Sequence, residues 1–183
     1  MRIAFIICFS FIYIVSRAQF TDESRGTIRA IGMYTSDFPG LNGYTIGGEY
    51  IRSIAERIEA GGILTVINLK GYPRTSTVQE FTKAKTMGLS VYFLPILSPN
   101  HKIRLGAGYQ FSFYNTRRTY PLVHGSDKQW PVVERTGRTW GMTLAAEYEY
   151  RITESPFSFG IRLSAGKAYD GVGSIGSFIG LDF

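Results

Sequence analysis

Strict alternation of apolar and polar residues over about ten positions is the feature of this sequence that most constrains its fold. Between Ile103 and Phe113 every odd position is apolar and every even position is polar or glycine. The pattern recurs between Trp140 and Tyr150, with even positions apolar, and once more over 157–165. A period of two residues is typical of β-strands, whose successive side chains point to opposite faces. The sequence therefore predicts a chain built from strands.

Five further segments show the pattern less strongly and bring the expected number of strands to eight. They are bounded by clusters of Pro, Gly, Asn, Ser and Asp, which favour turns. Pro95 has no backbone N–H to donate to a ladder, so we expect it to weaken the end of the fourth strand. The five segments cover 27–35, 43–54, 62–70, 86–96 and 174–183.

Residues 1–18 have the composition of a secretory signal peptide. An apolar run over 3–15 follows Arg2, and small residues at Ser16 and Ala18 lie where a signal peptidase cleaves. The run is shorter than the about 20 residues that a helix needs to span a bilayer. We therefore predict a cleaved signal peptide at 1–18 and a single exported domain at 19–183.

Removal of the signal peptide changes two properties of the chain. Cys8 is the only cysteine, so the exported domain would have no disulfide and no zinc site built on cysteine. Loss of Arg2 and Arg17 lowers the formal net charge from +6 to +4. This balance is too mildly basic to indicate nucleic-acid binding, and we expect no nucleic acid as a partner.

The predicted connections between strands alternate in length. The first, third, fifth and seventh are mostly long, whereas the second, fourth and sixth are short. A barrel that begins and ends in the periplasm has all odd connections outside the cell and all even ones inside, so this alternation is typical of an outer-membrane barrel. The long connections cover 36–42, 71–85, 114–138 and 168–173, and the short ones cover 55–61, 97–101 and 152–156.

Alternation alone does not show which face is buried, since a soluble lipid-binding barrel keeps its apolar face inside. The polar face here is rich in small residues, which fit the crowded lumen of an eight-stranded barrel. Aromatic residues collect on the apolar face near strand ends, as in the aromatic girdles of a membrane barrel. The small residues are Gly106, Gly108, Gly141, Ala145, Gly160, Ser164, Gly166, Gly176 and Gly180, and the aromatic ones include Tyr109, Phe111, Phe113, Trp140, Tyr148 and Tyr150.

The last predicted strand carries Ile179, Leu181 and Phe183 at alternating positions. It resembles the C-terminal targeting strand of bacterial outer-membrane proteins, and the chain as a whole resembles the small eight-stranded barrels of the outer membrane protein A and X type. The resemblance implies an all-β fold, an eight-stranded antiparallel up-and-down transmembrane β-barrel. It also implies a location in the outer membrane of a diderm bacterium, contact with outer-membrane lipid and lipopolysaccharide, and recognition by the outer-membrane insertion machinery.

Charged residues on the polar face are few, and turn positions predict how they pair. The turn between the fifth and sixth strands places Arg104 opposite Glu147 or Glu149, and the next turn places Glu147 opposite Arg162. We therefore predict a charge cluster of these four residues in the lumen, with Glu49 and Arg29 as further members. A paired network that plugs the barrel is the favoured interpretation, because isolated charges there would be costly. A proton or ion path, or a pair of catalytic carboxylates, is the alternative.

The predicted external loops are basic. Solvated charge is the default interpretation of such loops, and contact with lipopolysaccharide phosphates or an anionic surface partner is the functional one, since Arg binds phosphate in bidentate geometry. Aromatic residues between the charges could add an apolar contact patch. The predicted contact residues are Arg117, Arg118, Tyr120, Lys128, Trp130 and Arg135, and further basic residues lie nearby at Arg74, Lys83, Lys85 and Arg138.

Candidate catalytic groups are scarce. His101 lies in a short turn expected at the periplasmic end, whereas the segment His124-Gly125-Ser126-Asp127 collects nucleophile, base and carboxylate types in the longest external loop. Neighbours in sequence rarely have triad geometry, because separate elements position each group. No metal-ligand spacing, phosphate loop or nucleotide fingerprint is present. We predict no catalytic residue, no metal site and no cofactor.

The sequence thus favours an outer-membrane barrel with a side-chain-filled lumen and a non-enzymatic, structural or surface-interaction role. Three alternatives stay open. They are a narrow porin-like channel, a lipid-modifying enzyme similar to the small outer-membrane palmitoyltransferase or lipid A deacylase barrels, and a soluble exported lipid-binding barrel. Fold follows from the residue pattern, whereas the biological role does not.

Overall fold

The fold is all-β throughout the part of the chain that the structure describes. A computed structural model describes residues 26–38, 40–71, 79–119, 122–124, 127–129, 131–167 and 171–183. The predicted signal peptide at 1–18 lies outside these residues. No helix in the described ranges is long and apolar enough to cross a membrane.

Ten strands are present in the described residues, and eight of them form one closed sheet. The two remaining strands form a short separate hairpin. The barrel strands are β1 (Gly26–Asp37), β2 (Asn42–Ala55), β3 (Ile58–Gly71), β4 (Glu80–Leu97), β5 (His101–Thr119), β8 (Val132–Arg151), β9 (Phe157–Lys167) and β10 (Gly171–Asp182), and the hairpin strands are β6 (Leu122–His124) and β7 (Asp127–Gln129).

Each barrel strand pairs antiparallel with its neighbours in chain order, and β1 closes the ring by pairing with β10. At one end of this seam two backbone hydrogen bonds join Gly26 and Phe183, from Gly26 N to Phe183 O at 3.0 Å and from Phe183 N to Gly26 O at 2.9 Å. A closed sheet has no unpaired edge along its length. The predicted fold class, an eight-stranded antiparallel up-and-down barrel, is confirmed.

Three strands extend well beyond their predicted limits. β4, β5 and β8 continue into segments that the sequence assigned to external connections, because the ladder goes on after the apolar alternation ends. The connections at 38–41 and 168–170 are as short as those at the opposite end, so the predicted alternation in length does not hold for them. Pro95 lies within a register shift between Phe93 and Ile96, and β4 nevertheless continues to Leu97.

The two faces of the barrel have opposite polarity. Outward positions are apolar and exposed, such as Ile161 at 60%, whereas the adjacent inward Arg162 is 3% exposed. This is the reverse of a soluble barrel, whose apolar residues fill the interior. The soluble lipid-binding alternative is therefore inconsistent with the fold, since its cargo would need an apolar lumen.

Small apolar clusters and hydroxyl pairs separate the charged levels of the lumen. Thr35 shares short contacts with Thr45 at 2.7 Å and Ser174 at 2.9 Å, and two further Thr/Ser pairs link β4 to β5. Such pairs satisfy the polar groups that inward positions bring out of water. The buried apolar residues of the lumen include Ile31, Met33, Ile63 and Phe178 in one cluster, and Leu41, Ile67, Leu69 and Ala84 in another.

Candidate functional site

The predicted lumen charges lie together near the end of the barrel that holds both termini of the sheet. The ladders pair Arg104 with Glu147 and Glu147 with Arg162, so three strands present these side chains at one level. Arg29 of β1 and Glu49 of β2, which the sequence named as further members, are opposite each other in the ladder between β1 and β2. All of these side chains point inward and are buried.

Arg29 is the centre of the cluster. Its guanidinium donates to Glu147 Oε2 at 2.8 Å and to Glu149 Oε2 at 2.5 Å, and lies 3.6 Å from Glu49 Oε2. The Arg29 Cζ atom also lies 4.4 Å from the centroid of the Phe178 ring. The planar fork of Arg suits this arrangement, because it donates in two directions while its face stacks on an aromatic ring.

Arg162 and Tyr92 complete one side of the cluster. Arg162 Nη1 lies 3.0 Å from Glu49 Oε2 and 3.0 Å from Glu147 Oε1, so it bridges β2 and β8 across the lumen. The Tyr92 hydroxyl donates to the other oxygen of Glu49 at 2.5 Å. Both oxygens of Glu49 are thereby engaged.

Arg104 extends the cluster toward the turns. It donates to Glu149 Oε2 at 2.9 Å and to Glu59 Oε2 at 2.5 Å, and Lys102 Nζ lies 3.1 Å from Glu59 Oε1. Sequence reasoning missed Glu59, since apolar residues occupy both faces of β3 and hide its register. Lys102 could have been found from its parity, because it is an even position of β5 like Arg104.

The cluster is formally neutral. Among the described residues, four buried cations and four buried carboxylates meet in this part of the lumen, and each of these cations lies within ion-pair distance of at least one carboxylate. The partly exposed pair of Arg151 and Asp182 adjoins them through Glu149 and adds no net charge. Charges removed from water need such pairing. The members are Arg29, Lys102, Arg104 and Arg162 with Glu49, Glu59, Glu147 and Glu149.

A second ion-pair group lies in the lumen at the opposite end, and it corrects one prediction. Arg118 was predicted to be a surface loop contact, but it is an inward residue of β5, 5% exposed, and pairs with Asp37. Its Nη1 atom also lies 3.7 Å from Glu80 Oε2. The physical reason is strand parity, since β5 continues past its predicted end and even positions point inward.

The other predicted loop contacts are divided between strands and undescribed segments. Arg117 lies on the outward face of β5 and pairs with Glu134 at 3.1 Å. Arg135 lies on β8 and is exposed, and Lys128 lies on the short strand β7. Tyr120, Trp130 and Arg74 lie outside the described residues.

The ladder between β5 and β8 rises above the rest of the barrel. It runs from His101 opposite Tyr150 to Thr119 opposite Val132, whereas β9 pairs with β8 only from Thr143 onward. Within the described residues, positions 132–142 of β8 are therefore paired on one side only. Unpaired strand edges are templates for added strands.

Histidines form no catalytic arrangement in the described part of the chain. His101 Nδ1 lies 2.8 Å from the Tyr148 hydroxyl, and its ring packs between Tyr148 and Tyr150. The backbones of His124 and Asp127 are opposite each other in the short hairpin, and residues 125 and 126 lie outside the described ranges. The described ranges also hold no group of three His, Cys, Asp or Glu suited to a metal ion.

Comparison with known proteins shows which solved structures share this fold. No family model and no curated protein matches the chain. Among solved structures, Neisserial surface protein A has a TM-score of 0.59 at 12% identity, with 87% of this chain and 97% of that chain covered. The N-terminal β-barrel domain of Pseudomonas aeruginosa OprF has 0.57 at 13% identity, with the same coverages. Ail of Yersinia pestis has 0.54 at 10% identity, covering 88% of this chain and 99% of its own.

The chain has the fold of a small outer-membrane β-barrel. In such a fold the outward face carries an apolar belt between two aromatic girdles. The outward residues of β8 from Trp140 to Tyr150 are all apolar or aromatic, a stretch that matches the about 9–11 residues with which a tilted strand crosses a bilayer. Rings pack together at both of its ends, with Tyr109 and Phe111 against Trp140 and with Tyr150 against Phe159.

The residues of the predicted targeting strand lie on the outward face of β10. Ile179 and Leu181 are exposed, and Phe183, which follows the strand, stacks on Tyr50 at a centroid distance of 6.3 Å. In an outer-membrane β-barrel fold this places Phe183 in the girdle nearer the termini of the sheet.

Proposed function

We propose that this protein is a closed, non-conducting barrel of the outer membrane that contacts an anionic partner at the cell surface. The single observation that carries the proposal is the basic surface of the ladder between β5 and β8 above the apolar belt, where the described residues expose three arginines against one carboxylate. Exposed guanidinium groups bind sulfate or phosphate oxygens through charge-assisted hydrogen bonds, often in bidentate geometry.

The outward polarity of the barrel supports the proposed location. Apolar side chains exposed over a belt bounded by aromatic rings are unfavourable in water and favourable in hydrocarbon. The termini of the sheet lie at one end, together with the turns at 56–57, 98–100 and 152–156. This end would face the periplasm, and the protruding sheet of β5 and β8 would face outward.

The neutral charge cluster supports a barrel without a conducting path. Its side chains reach the lumen from six strands and are held to each other at 2.5–3.1 Å. An ion crossing this level would have to replace these pairs, and partly broken pairs in a low-dielectric interior are costly. A structural plug is thus favoured over the narrow channel.

The charge of the protruding sheet supports an anionic partner. The described residues of β5 and β8 above the apolar belt expose Arg117, Arg135 and Arg138, against one exposed carboxylate, Glu134. The solved structure of Ail in complex with the heparin analogue sucrose octasulfate is an example of a polyanion bound by a protein of this fold. We therefore propose a sulfated or phosphorylated polysaccharide as the partner class.

Two measurements test the barrel itself. Outer-membrane fractions are run on a gel with and without boiling, and a folded barrel is expected to shift on boiling. The purified protein is then added to planar bilayers, where we expect no conductance steps. Recovery from the soluble periplasm without a shift would overturn the location, and regular conductance steps would overturn the plug.

A binding assay tests the surface role. Cells that express the protein are expected to adhere to immobilised heparin more than cells that carry an empty vector. R117E/R135E should reduce this adhesion to the vector level, since the local charge changes sign. R57E, in the turn at the opposite end, is the matched control and should leave adhesion unchanged. Equal adhesion of R117E/R135E and the unaltered protein would overturn the role.

A further inference from the structure

Basic residues lie on the outward face of the barrel just above the apolar belt. Lys85 of β4 is opposite Phe113 of β5, and Phe113 is opposite Arg138 of β8, so the three side chains form one row across three strands. Lys83 occupies the next row toward the protruding end, between Asn68 and Asn115. The sequence predicted Lys83, Lys85 and Arg138 to lie in external connections, but the strands hold them at fixed spacing.

The cations of these two rows are not paired within the described residues. Lys83, Lys85 and Arg138 have no carboxylate within ion-pair distance there, whereas Arg117, one row further out, lies 3.1 Å from Glu134. Arg138 instead lies over the ring of Phe113, with its Cζ atom 5.3 Å from the ring centroid. This cation–π contact holds the guanidinium of Arg138 against the outer wall of the barrel and not above its open end.

The wall is concave at this point. A groove of about 690 Å³ runs across β3, β4, β5 and β8 between Asn68 and Arg138. A second groove of about 730 Å³ adjoins it through Val66, Lys85 and Phe113. The second groove descends over the apolar side chains of Ile46, Leu64 and Met87. One continuous surface therefore has a basic upper part and an apolar lower part.

The level of the basic rows matches that of lipid phosphates. The row directly below Lys85 and Arg138 contains Phe111 and Trp140, which pack together at a centroid distance of 4.4 Å. Trp rings at the end of an apolar belt lie at the boundary between hydrocarbon and headgroups. The cations one row above this boundary are therefore at headgroup depth.

We propose that this groove binds a phosphorylated lipid of the outer leaflet, with its phosphate between Lys83, Lys85 and Arg138 and an acyl chain along the apolar lower part. Proteins bind phosphate mainly with Arg and Lys. The guanidinium of Arg donates two parallel hydrogen bonds, whereas the ammonium of Lys acts as a point charge. The amides of Asn68 and Asn115 lie beside Lys83 and suit the hydroxyls of a sugar headgroup. The occupant is thus a phosphorylated glycolipid.

The shape of the groove favours a lipid over a soluble anion. The groove opens sideways from the barrel wall, and its lower half would be covered by hydrocarbon in a membrane. A soluble phosphate could reach only the upper half and would leave the apolar half without a partner. This inference rests on the proposed location in the outer membrane.

Native mass spectrometry of the folded barrel, released from detergent, tests the site. Phosphorylated lipid A and its dephosphorylated form are the two probes. We expect the unaltered protein to retain the phosphorylated form, and K83Q/K85Q/R138Q to retain it at least about 10-fold less, since the variant loses the three cations beside the phosphate. The dephosphorylated form should bind weakly and equally to both proteins.

Two control variants separate this site from general charge. K83R/K85R/R138K keeps the charges and should retain the lipid, whereas R57Q/K167Q removes two exposed cations elsewhere and should leave binding unchanged. Equal retention by K83Q/K85Q/R138Q and the unaltered protein would overturn the inference. Displacement of the lipid by millimolar inorganic phosphate would also overturn it, because the site would then be a simple anion site.

The gel-shift assay separates the two proposals. If the protein shifts on boiling and lies in the outer membrane but shows no preference for phosphorylated lipid A, only the lipid site fails. If the unaltered protein is soluble and does not shift, the proposed location fails and the lipid site fails with it.

Discussion

The ring of Tyr92 packs directly over Gly106 across the ladder between β4 and β5. A Cβ atom built on Gly106 would lie 2.4 Å from Tyr92 Cδ1 and Cε1, well inside van der Waals contact. The absence of a side chain at Gly106 therefore lets Tyr92 lie across the lumen, where its hydroxyl reaches Glu49 at 2.5 Å. A backbone position on one strand thus sets the position of a buried phenol on the next.

We expect Gly106→Ala to destabilise the barrel by about 1–3 kcal/mol, because the added methyl group overpacks the lumen against Tyr92. The measurement is the urea midpoint of unfolding in detergent or lipid. Gly32→Ala is the matched control, since a Cβ there has nothing within 4 Å. Equal midpoints for the two variants would contradict the packing argument.

Removal of Glu147 should be costly. Its Oε2 atom lies 2.8 Å from Arg29 Nη1, and its Oε1 atom lies 3.0 Å from Arg162 Nη1. Loss of this carboxylate leaves two buried cations with fewer counter-ions. We expect Glu147→Ala to lower the free energy of unfolding by about 3–5 kcal/mol. Glu134→Ala removes an exposed partner of Arg117 and should cost about 0–1 kcal/mol. An unchanged midpoint for Glu147→Ala would show that the cluster does not stabilise the barrel.

Adjacent arginines on opposite faces of β5 provide a second comparison. Arg118→Ala leaves Asp37 and Glu80 buried without their counter-ion, and we expect a loss of about 3 kcal/mol. Arg117→Ala should cost less than about 1 kcal/mol, because that side chain is 41% exposed. The temperature at which the folded band disappears from the gel measures the loss of stability in each variant. Equal losses would argue against the inward position of Arg118.

Trp140 should report the depth of the upper girdle. In a variant with Trp130→Phe, we expect the remaining tryptophan fluorescence to be quenched by lipids brominated near the headgroup more than by lipids brominated near the chain end. The reason is that Trp140 is exposed on the outward face at the end of the apolar belt. Quenching by neither lipid would mean that this face is not in contact with the membrane.

The sequence was sufficient for the strands that cross the apolar belt. In β5, β8 and β9 the alternation is strict, because one face meets small or charged lumen groups and the other is apolar. Parity and turn position then place Arg104 opposite Glu147 and Glu147 opposite Arg162. Counting residues from the turn gives the pairing, because a shift of one residue in register would turn every side chain of the strand to the other face.

The remainder of the site was hidden for physical reasons. β3 has apolar residues on both faces, with Ile63 inward and Leu64 outward, so its pattern does not show where Glu59 points. Above the belt the outward face no longer needs to be apolar, and the period-two signal ends although the ladder continues. For this reason Lys85, Arg118 and Arg138 were assigned to loops, and the basic rows on the wall were not recognised from the sequence.

The seam between Gly26 and Phe183 has a consequence for biogenesis. The strands that meet there, β1 and β10, are the first and last of the barrel to be synthesised, so a chain that ends after β9 has two open edges. Unpaired backbone groups are not stable in hydrocarbon. For a barrel in a lipid membrane, strands that enter one at a time would therefore need another β-sheet to pair their open edges until β10 closes on β1.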